Sequence, residues 1–151
     1  MDGAFKVSIS GMGGIVRDHN GVLIAAVGFY DHVTTPLEAQ IHAALKVLTW
    51  CIAKGYSQLM VETDSAMLAQ MVRSKKAHRA SINNIAHICH LVDSSGSTLS
   101  YIYREQNMAA NWVAKEAMQG RSNRVWEPPD EPLRLRALLA LECQGVPYIQ
   151  R

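Results

Sequence analysis

The sequence predicts an α/β domain: a mixed five-stranded sheet, three antiparallel strands and then parallel ones, flanked by helices. Residues 4–31 read as β-structure: Phe5 to Ser10 alternates apolar and polar side chains with a period of two, and the apolar runs at Ile15-Val16 and Val22 to Tyr30 follow, separated by turn residues. From Pro36 onward, helical spacings of three and four alternate with short apolar strands, which implies crossover connections and parallel pairing. The composition fits such a domain: 151 residues, 48% hydrophobic and 19% charged, enough to bury roughly 70% of the unfolded surface in one core.

The elements follow in order. Phe5, Val7 and Ile9 alternate with Lys6, Ser8 and Ser10 as a half-buried strand, and Gly11, Gly13 and Gly14 interrupt it before Ile15-Val16 resumes. Asn20-Gly21 predicts a type I′ hairpin turn, from which Val22 to Tyr30 returns antiparallel. Pro36 suits the first turn of a helix carrying Leu37, Ile41, Ala44, Leu45, Leu48 and Ile52 on one face, closed by Gly55. Leu59 to Val61 forms a strand that ends at Glu62-Thr63-Asp64-Ser65, and Ala66 to Val72 reads as helix. A third helix places Ile82, Ile85, Ala86, Cys89 and Val92 on one stripe; Leu99 to Tyr103 alternates as a strand; Asn107 caps a fourth helix running to about Gln119.

This organisation divides the chain into a domain over residues 1–120 and a Pro/Leu-rich tail over 121–151, packed on the domain or trailing it. Pro128, Pro129 and Pro132 break the tail, and Leu133 to Leu141 predicts a short helix. Its expected landing place is a patch on the first helix made of Ala39, Ala43, Val47 and Trp50.

Charge and cysteine usage narrow the function classes. Cys51, Cys89 and Cys143 are odd in number and form no C-x-x-C pair, so neither a zinc ribbon nor a disulfide scaffold is indicated, and reduced thiols in an intracellular compartment are expected. No apolar run approaches the length of a membrane span and no basic-then-apolar leader opens the chain, so no membrane partner is expected. The net charge of +2 is uneven: residues 1–74 carry 5 basic and 6 acidic side chains, residues 75–151 carry 10 and 7. That bias is compatible with a phosphate-bearing partner.

Three carboxylates stand out by position. Asp2 opens the first strand, Glu38 lies in the first turn of a helix beside its apolar stripe, and Asp64 follows a strand at its carboxyl end, where open α/β sheets place their ligands. If the first and fourth strands are neighbours, Asp2 and Asp64 approach each other and Glu38 reaches down from the helix. Such a cluster calls for a neutralising hard cation, Mg²⁺ or Mn²⁺. Taken singly, each has a plainer explanation: a terminal residue, a charge favoured by the helix dipole, a helix N-cap.

Five segments, in order, resemble the ribonuclease H superfamily, in the type 1 branch of plant retroelement-derived, reverse transcriptase-like proteins. They are D-G-A (Asp2 to Ala4), G-G-I-V-R-D-H-N-G (Gly13 to Gly21), L-E-A-Q-I-H-A-A-L (Leu37 to Leu45), V-E-T-D-S (Val61 to Ser65) and R-E-Q-N-M-A-A-N-W-V-A-K (Arg104 to Lys115). The resemblance implies endonucleolytic hydrolysis of the RNA strand of RNA–DNA hybrids by a monomeric enzyme using two Mg²⁺ or Mn²⁺ ions. Asp2, Glu38 and Asp64 would be catalytic metal ligands, with Asn111 at the position where the family carries a fourth acid. The amide keeps an oxygen ligand and loses a charge, so weakened metal binding is expected. A single residue before Asp2, where the family has half a strand, leads to an expectation of fraying at that ligand. Both departures keep open a second reading, an inactive ribonuclease H-like module that binds nucleic acid or protein.

Candidate nucleic-acid contacts are Lys75, Lys76, Arg79 and Arg104, with Gly13 in a region that approaches the nucleic-acid backbone in the family. A solvated turn explains the basic cluster equally well. His87, Cys89 and His90 read as a buried thiol between solvated imidazoles rather than a zinc site, and Trp112 reads as core.

Overall fold

A computed structural model describes residues 5–32, 35–74 and 82–143. The antiparallel meander consists of β1 (Lys6–Ser10), β2 (Gly13–Arg17) and β3 (Leu23–Gly28). Then come α1 (Pro36–Ala53), β4 (Met60–Thr63), α2 (Ala66–Ser74), α3 (Ile82–Ser94), β5 (Thr98–Tyr101), a 3₁₀ turn at Arg104–Gln106 and α4 (Met108–Gly120). The tail adds β6 (Arg124–Trp126) and α5 (Leu133–Cys143). The strands lie in the order β5-β4-β1-β2-β3-β6, with β4 parallel to both β1 and β5 and the other pairs antiparallel.

The expected fold is therefore present, with one strand more than expected. β6 comes from the tail and pairs antiparallel with β3, Ala26 opposite Trp126 and Gly28 opposite Arg124. Three residues are too short a run to show periodicity, and only the exposed edge of β3 makes them a strand.

Adjacent residues on a strand face opposite ways, and that alternation divides the core. Val7, Ile9 and Val16 point to the face covered by α1, α2 and α3, where they meet Ile41, Ala44, Val47, Leu48, Leu68 and Ile88. Ile15 and Ala26 point to the other face and meet Ala109, Ala110 and Val113 of α4 with Leu135, Leu138 and Leu139 of α5. The tail helix thus lies on α4. The patch expected to receive it is occupied otherwise: Ala43 and Val47 are buried in the core on the opposite face of the sheet, with Val47 packed down onto Gly14. The spacing of Ala39, Ala43 and Val47 shows one helix face but cannot say that the sheet already covers it.

The close approach of α4 depends on missing side chains. A Cβ at Gly13 would lie 2.9 Å from the backbone nitrogen of Ala114 and 3.1 Å from its Cα. Gly13→Ala is expected to cost about 1–3 kcal/mol as overpacking against a backbone that cannot turn aside. Urea denaturation measures this, and an unchanged midpoint would mean that α4 slides away freely.

Two local expectations are corrected by the contacts. The hairpin falls at Asn20-Gly21, but only Gly21 has positive φ, at 83°. The Asp18 carboxylate accepts from the backbone N–H groups of Asn20 (2.9 Å) and Val22 (3.0 Å), while Gly21 N–H donates to the Asp18 carbonyl. This is a three-residue loop ending in a left-handed glycine, a geometry that suits a bulged hairpin, and β2 and β3 shift register between Val16 and Arg17. In α3 the fully buried positions include Ile85 and Ile88, whereas Ala86 is exposed. Start signals hold better at α1, where the Thr35 hydroxyl accepts from Glu38 N–H at 3.1 Å and Pro36 occupies the first turn.

Candidate active site

Parallel pairing of β1 with β4 sets the site. Val7 lies beside Val61 and Ile9 beside Thr63, so the next residue on each strand is Ser10 and Asp64. The Ser10 hydroxyl donates to one oxygen of the half-buried Asp64 carboxylate at 2.9 Å. The other oxygen accepts from the side-chain amide of Gln40 at 2.8 Å. The amide oxygen of Gln40 in turn accepts from the buried Thr63 hydroxyl at 3.2 Å. Asp64 is thus held from the sheet and from the start of α1 at once, two residues along that helix from Glu38.

Asp64 is not the N-cap of α2. That role falls to Ser65, whose hydroxyl accepts from Leu68 N–H at 3.1 Å, so the carboxylate is left to the sheet end. Glu38 is half-buried in the first turn of α1, where the helix dipole favours an acid.

The fourth helix reaches the same end through Asn107. This residue is 1% exposed, and its side-chain amide donates to the Ile9 carbonyl at 2.6 Å, one residue from Ser10. One turn further, Asn111 is half-buried and its backbone N–H donates to the Asn107 carbonyl. Asn107 therefore does not cap α4 with its side chain, as the sequence predicts. Glu142 of α5 does: its carboxylate accepts from Ala109 N–H at 2.9 Å and pairs through its other oxygen with buried Arg17.

The remaining candidates divide clearly. Arg104 is exposed in the 3₁₀ turn. Gly13 is buried beneath α4, so its missing side chain serves helix packing. Asp2, Lys75, Lys76 and Arg79 lie outside the described residues. Among the described residues, no group of three or more His, Cys, Asp or Glu side chains is placed to hold a metal ion. Trp112 packs against Trp126 of β6 with ring centroids 5.8 Å apart, and His87 and His90 are exposed on either side of a half-buried Cys89. Burial pushes the Cys51 thiol up to about 12, which keeps it protonated and unreactive. Among the described residues, no helix is long and apolar enough to cross a membrane.

Ser10, Gln40 and Glu142 escape the sequence reading. A signal existed for Ser10, which lies on the polar side of the alternating strand. Gln40 and Glu142 gain their roles only by contact.

Residues 1–117 match the reverse transcriptase-like protein family. The chain belongs to that family. Its fold is that of ribonuclease H. RNase H1 from the halophilic archaeon Halobacterium salinarum NRC-1 superposes with a TM-score of 0.70 at 15% identity, covering 78% of this chain and 99% of the other. LC11-RNase H1, in a structure with an RNA/DNA hybrid, superposes at 0.68 with 18% identity, covering 78% and 98%. LC9-RNase H1, described as a type 1 RNase H with the type 2 active-site motif, gives 0.65 at 16% identity, covering 91% and 85%. None of the curated protein sequences matches this chain. Within the reverse transcriptase-like domain, the carboxyl ends of β1 and β4, the start of α1 and the start of α4 converge at one end of the sheet.

Proposed function

We propose that this domain hydrolyses the RNA strand of RNA–DNA hybrids as a metal-dependent nuclease of ribonuclease H type. The observation that carries the reading is the convergence at Asp64. The Ser10 and Gln40 bonds bring the end of β1 and the start of α1 to that carboxylate, and the Asn107 bond brings the start of α4 to β1. Glu38, Asp64 and Asn111 supply only oxygen donors, which suits Mg²⁺ or Mn²⁺. The described residues alone do not complete a cluster, and β1 runs from Lys6 beside Met60 to Ser10 beside Asp64, so Asp2, upstream of Lys6, is proposed as a ligand on the family resemblance alone. When bound, such ions lower the pKa of an attacking water and stabilise the leaving oxygen.

The protein's own residues do the positioning. Gln40 and Ser10 are neutral donors that fix the orientation of Asp64 without neutralising its charge, and each carboxylate oxygen retains a further lone pair. Arg104, with Lys75, Lys76 and Arg79, is proposed to meet the phosphates of the hybrid. Selectivity for RNA would come from contacts to 2′-hydroxyls.

One observation favours a second reading, a hybrid-binding module that does not cut. The sheet position beside Asp64 carries a hydroxyl, Ser10, rather than a second acid. Cleavage of an end-labelled hybrid in Mg²⁺ and in Mn²⁺ separates the two. The expected result is cutting of the RNA strand alone, reduced at least roughly a hundredfold in Asp64→Asn, the scale on which loss of one electrostatic group at a reacting centre acts. Binding of the hybrid by a folded protein that cuts nothing in either metal would establish the second reading.

A further inference from the structure

Past Asp64 the sheet ends in an aromatic edge that the proposed hydrolysis does not use. Among the described residues β5 is the last strand on that side, and the chain leaving it is held to β4 by Ile102 N–H, which donates to the Thr63 carbonyl at 2.9 Å. Tyr101 and Tyr103, on either side of that bond, are 42% and 49% exposed. Their rings meet edge to face, with centroids 5.7 Å apart and planes at 70°. Arg104 follows directly, exposed in the 3₁₀ turn.

Exposure of one tyrosine needs no explanation, but Tyr101, paired with Thr63, and Tyr103, two residues on, both leave surface open to solvent beside the candidate centre. An edge-to-face pair holds each ring in place, so a flat ligand meets a surface that is already ordered. Arg104 gives that surface a cation suited to phosphate, and the second half of the chain carries 10 basic against 7 acidic side chains. An ordered aromatic pair with an adjacent guanidinium is the chemistry that takes an unpaired nucleobase and its phosphate.

We infer that Tyr101, Tyr103 and Arg104 form a stacking subsite for an unpaired nucleobase adjoining the hybrid, so that the protein prefers hybrids with a single-stranded extension to blunt ones. This rests on the hybrid-directed reading above. A base within a duplex presents no free face, whereas a base in an extension or a frayed end does.

The test is equilibrium binding in EDTA, so that no strand is cut, of a blunt hybrid and of the same hybrid with a single-stranded DNA extension at either end. For the unmodified protein, an extension at one end is expected to tighten binding roughly fivefold or more, the lower limit for stacking one base. The gain should persist in Tyr101→Phe/Tyr103→Phe, which keeps both rings, and vanish in Tyr101→Ala/Tyr103→Ala. Should the double alanine variant fail to melt cooperatively, Tyr103→Leu, apolar but without a π-face, decides in its place. Equal affinity for blunt and extended hybrids, or a gain surviving the loss of the rings, would overturn the subsite while leaving hybrid binding intact. No binding to either hybrid would overturn the hybrid-directed reading and the subsite with it.

Discussion

Glu142→Ala is expected to lower the stability of the folded protein by about 3–5 kcal/mol, the range for removing one partner of a buried ion pair. Arg17 and Glu142 are 7% and 8% exposed at their side chains, so the surviving guanidinium would stay in the interior without its counter-charge. Among the described residues its Nε already has no hydrogen-bond partner. The same substitution leaves Ala109 N–H at the start of α4 uncapped, a further loss of about 1 kcal/mol. For a chain of this length the sum corresponds to a fall of roughly 8–24 °C in melting temperature. Because Glu142 joins β2, α4 and α5, the loss should also loosen the helix that carries Asn111. Calorimetry measures the effect, with Arg17→Met/Glu142→Leu as the control. Removing both charges together should recover most of the loss, since apolar replacement of a buried pair is often neutral. A Glu142→Ala protein that melts with the unmodified one would mean that water reaches the pair freely.

Ser10→Asp is expected to enlarge the stabilisation that divalent cations give the protein. The substitution exchanges a donor for a second carboxylate beside Asp64, removing the 2.9 Å hydrogen bond and adding like-charge repulsion. In EDTA at neutral pH the cost should be about 1–3 kcal/mol. Millimolar Mg²⁺ or Mn²⁺ should recover it, because an ion that binds only the folded state adds stability as RT ln(1 + [L]/Kd). Thermal melting with and without the metal reads both effects, and faster hybrid cleavage should accompany the metal response. If the variant is destabilised yet gains nothing more from Mg²⁺ than the unmodified protein, the end of β1 does not contribute to a metal centre, and the non-cutting reading is favoured.

Much of the fold is legible because periodicity is local. The two-residue alternation of Phe5 to Ser10 and the stripe of Ile41, Ala44 and Leu48 are properties of a strand and a helix before anything packs on them. Pro36 and Gly55 mark helix ends for equally local reasons. Asp64 stood out because it follows a short apolar strand, and the structure places it at the carboxyl end of β4. Its hydrogen-bond partners did not stand out, since Ser10 and Gln40 lie 54 and 24 residues away in sequence. Asn107 illustrates the limit from the other side. Its residue type and place predict a capping side chain, yet the Ile9 carbonyl claims its amide and a glutamate 33 residues beyond Ala109 takes over the cap.

The sequence by itself therefore determined the element order, the alternation that divides the core between two faces of a sheet, and the acidic positions Glu38 and Asp64. Only the tertiary structure decided which strand edge β6 would fill, that α5 would lie on α4 rather than α1, and that Ser10 would be the neighbour of Asp64. The physical reason is the range of the interactions. Steric preference and hydrophobic period act within a few residues, whereas strand register, helix docking and buried ion pairs depend on groups brought together only when the whole chain closes.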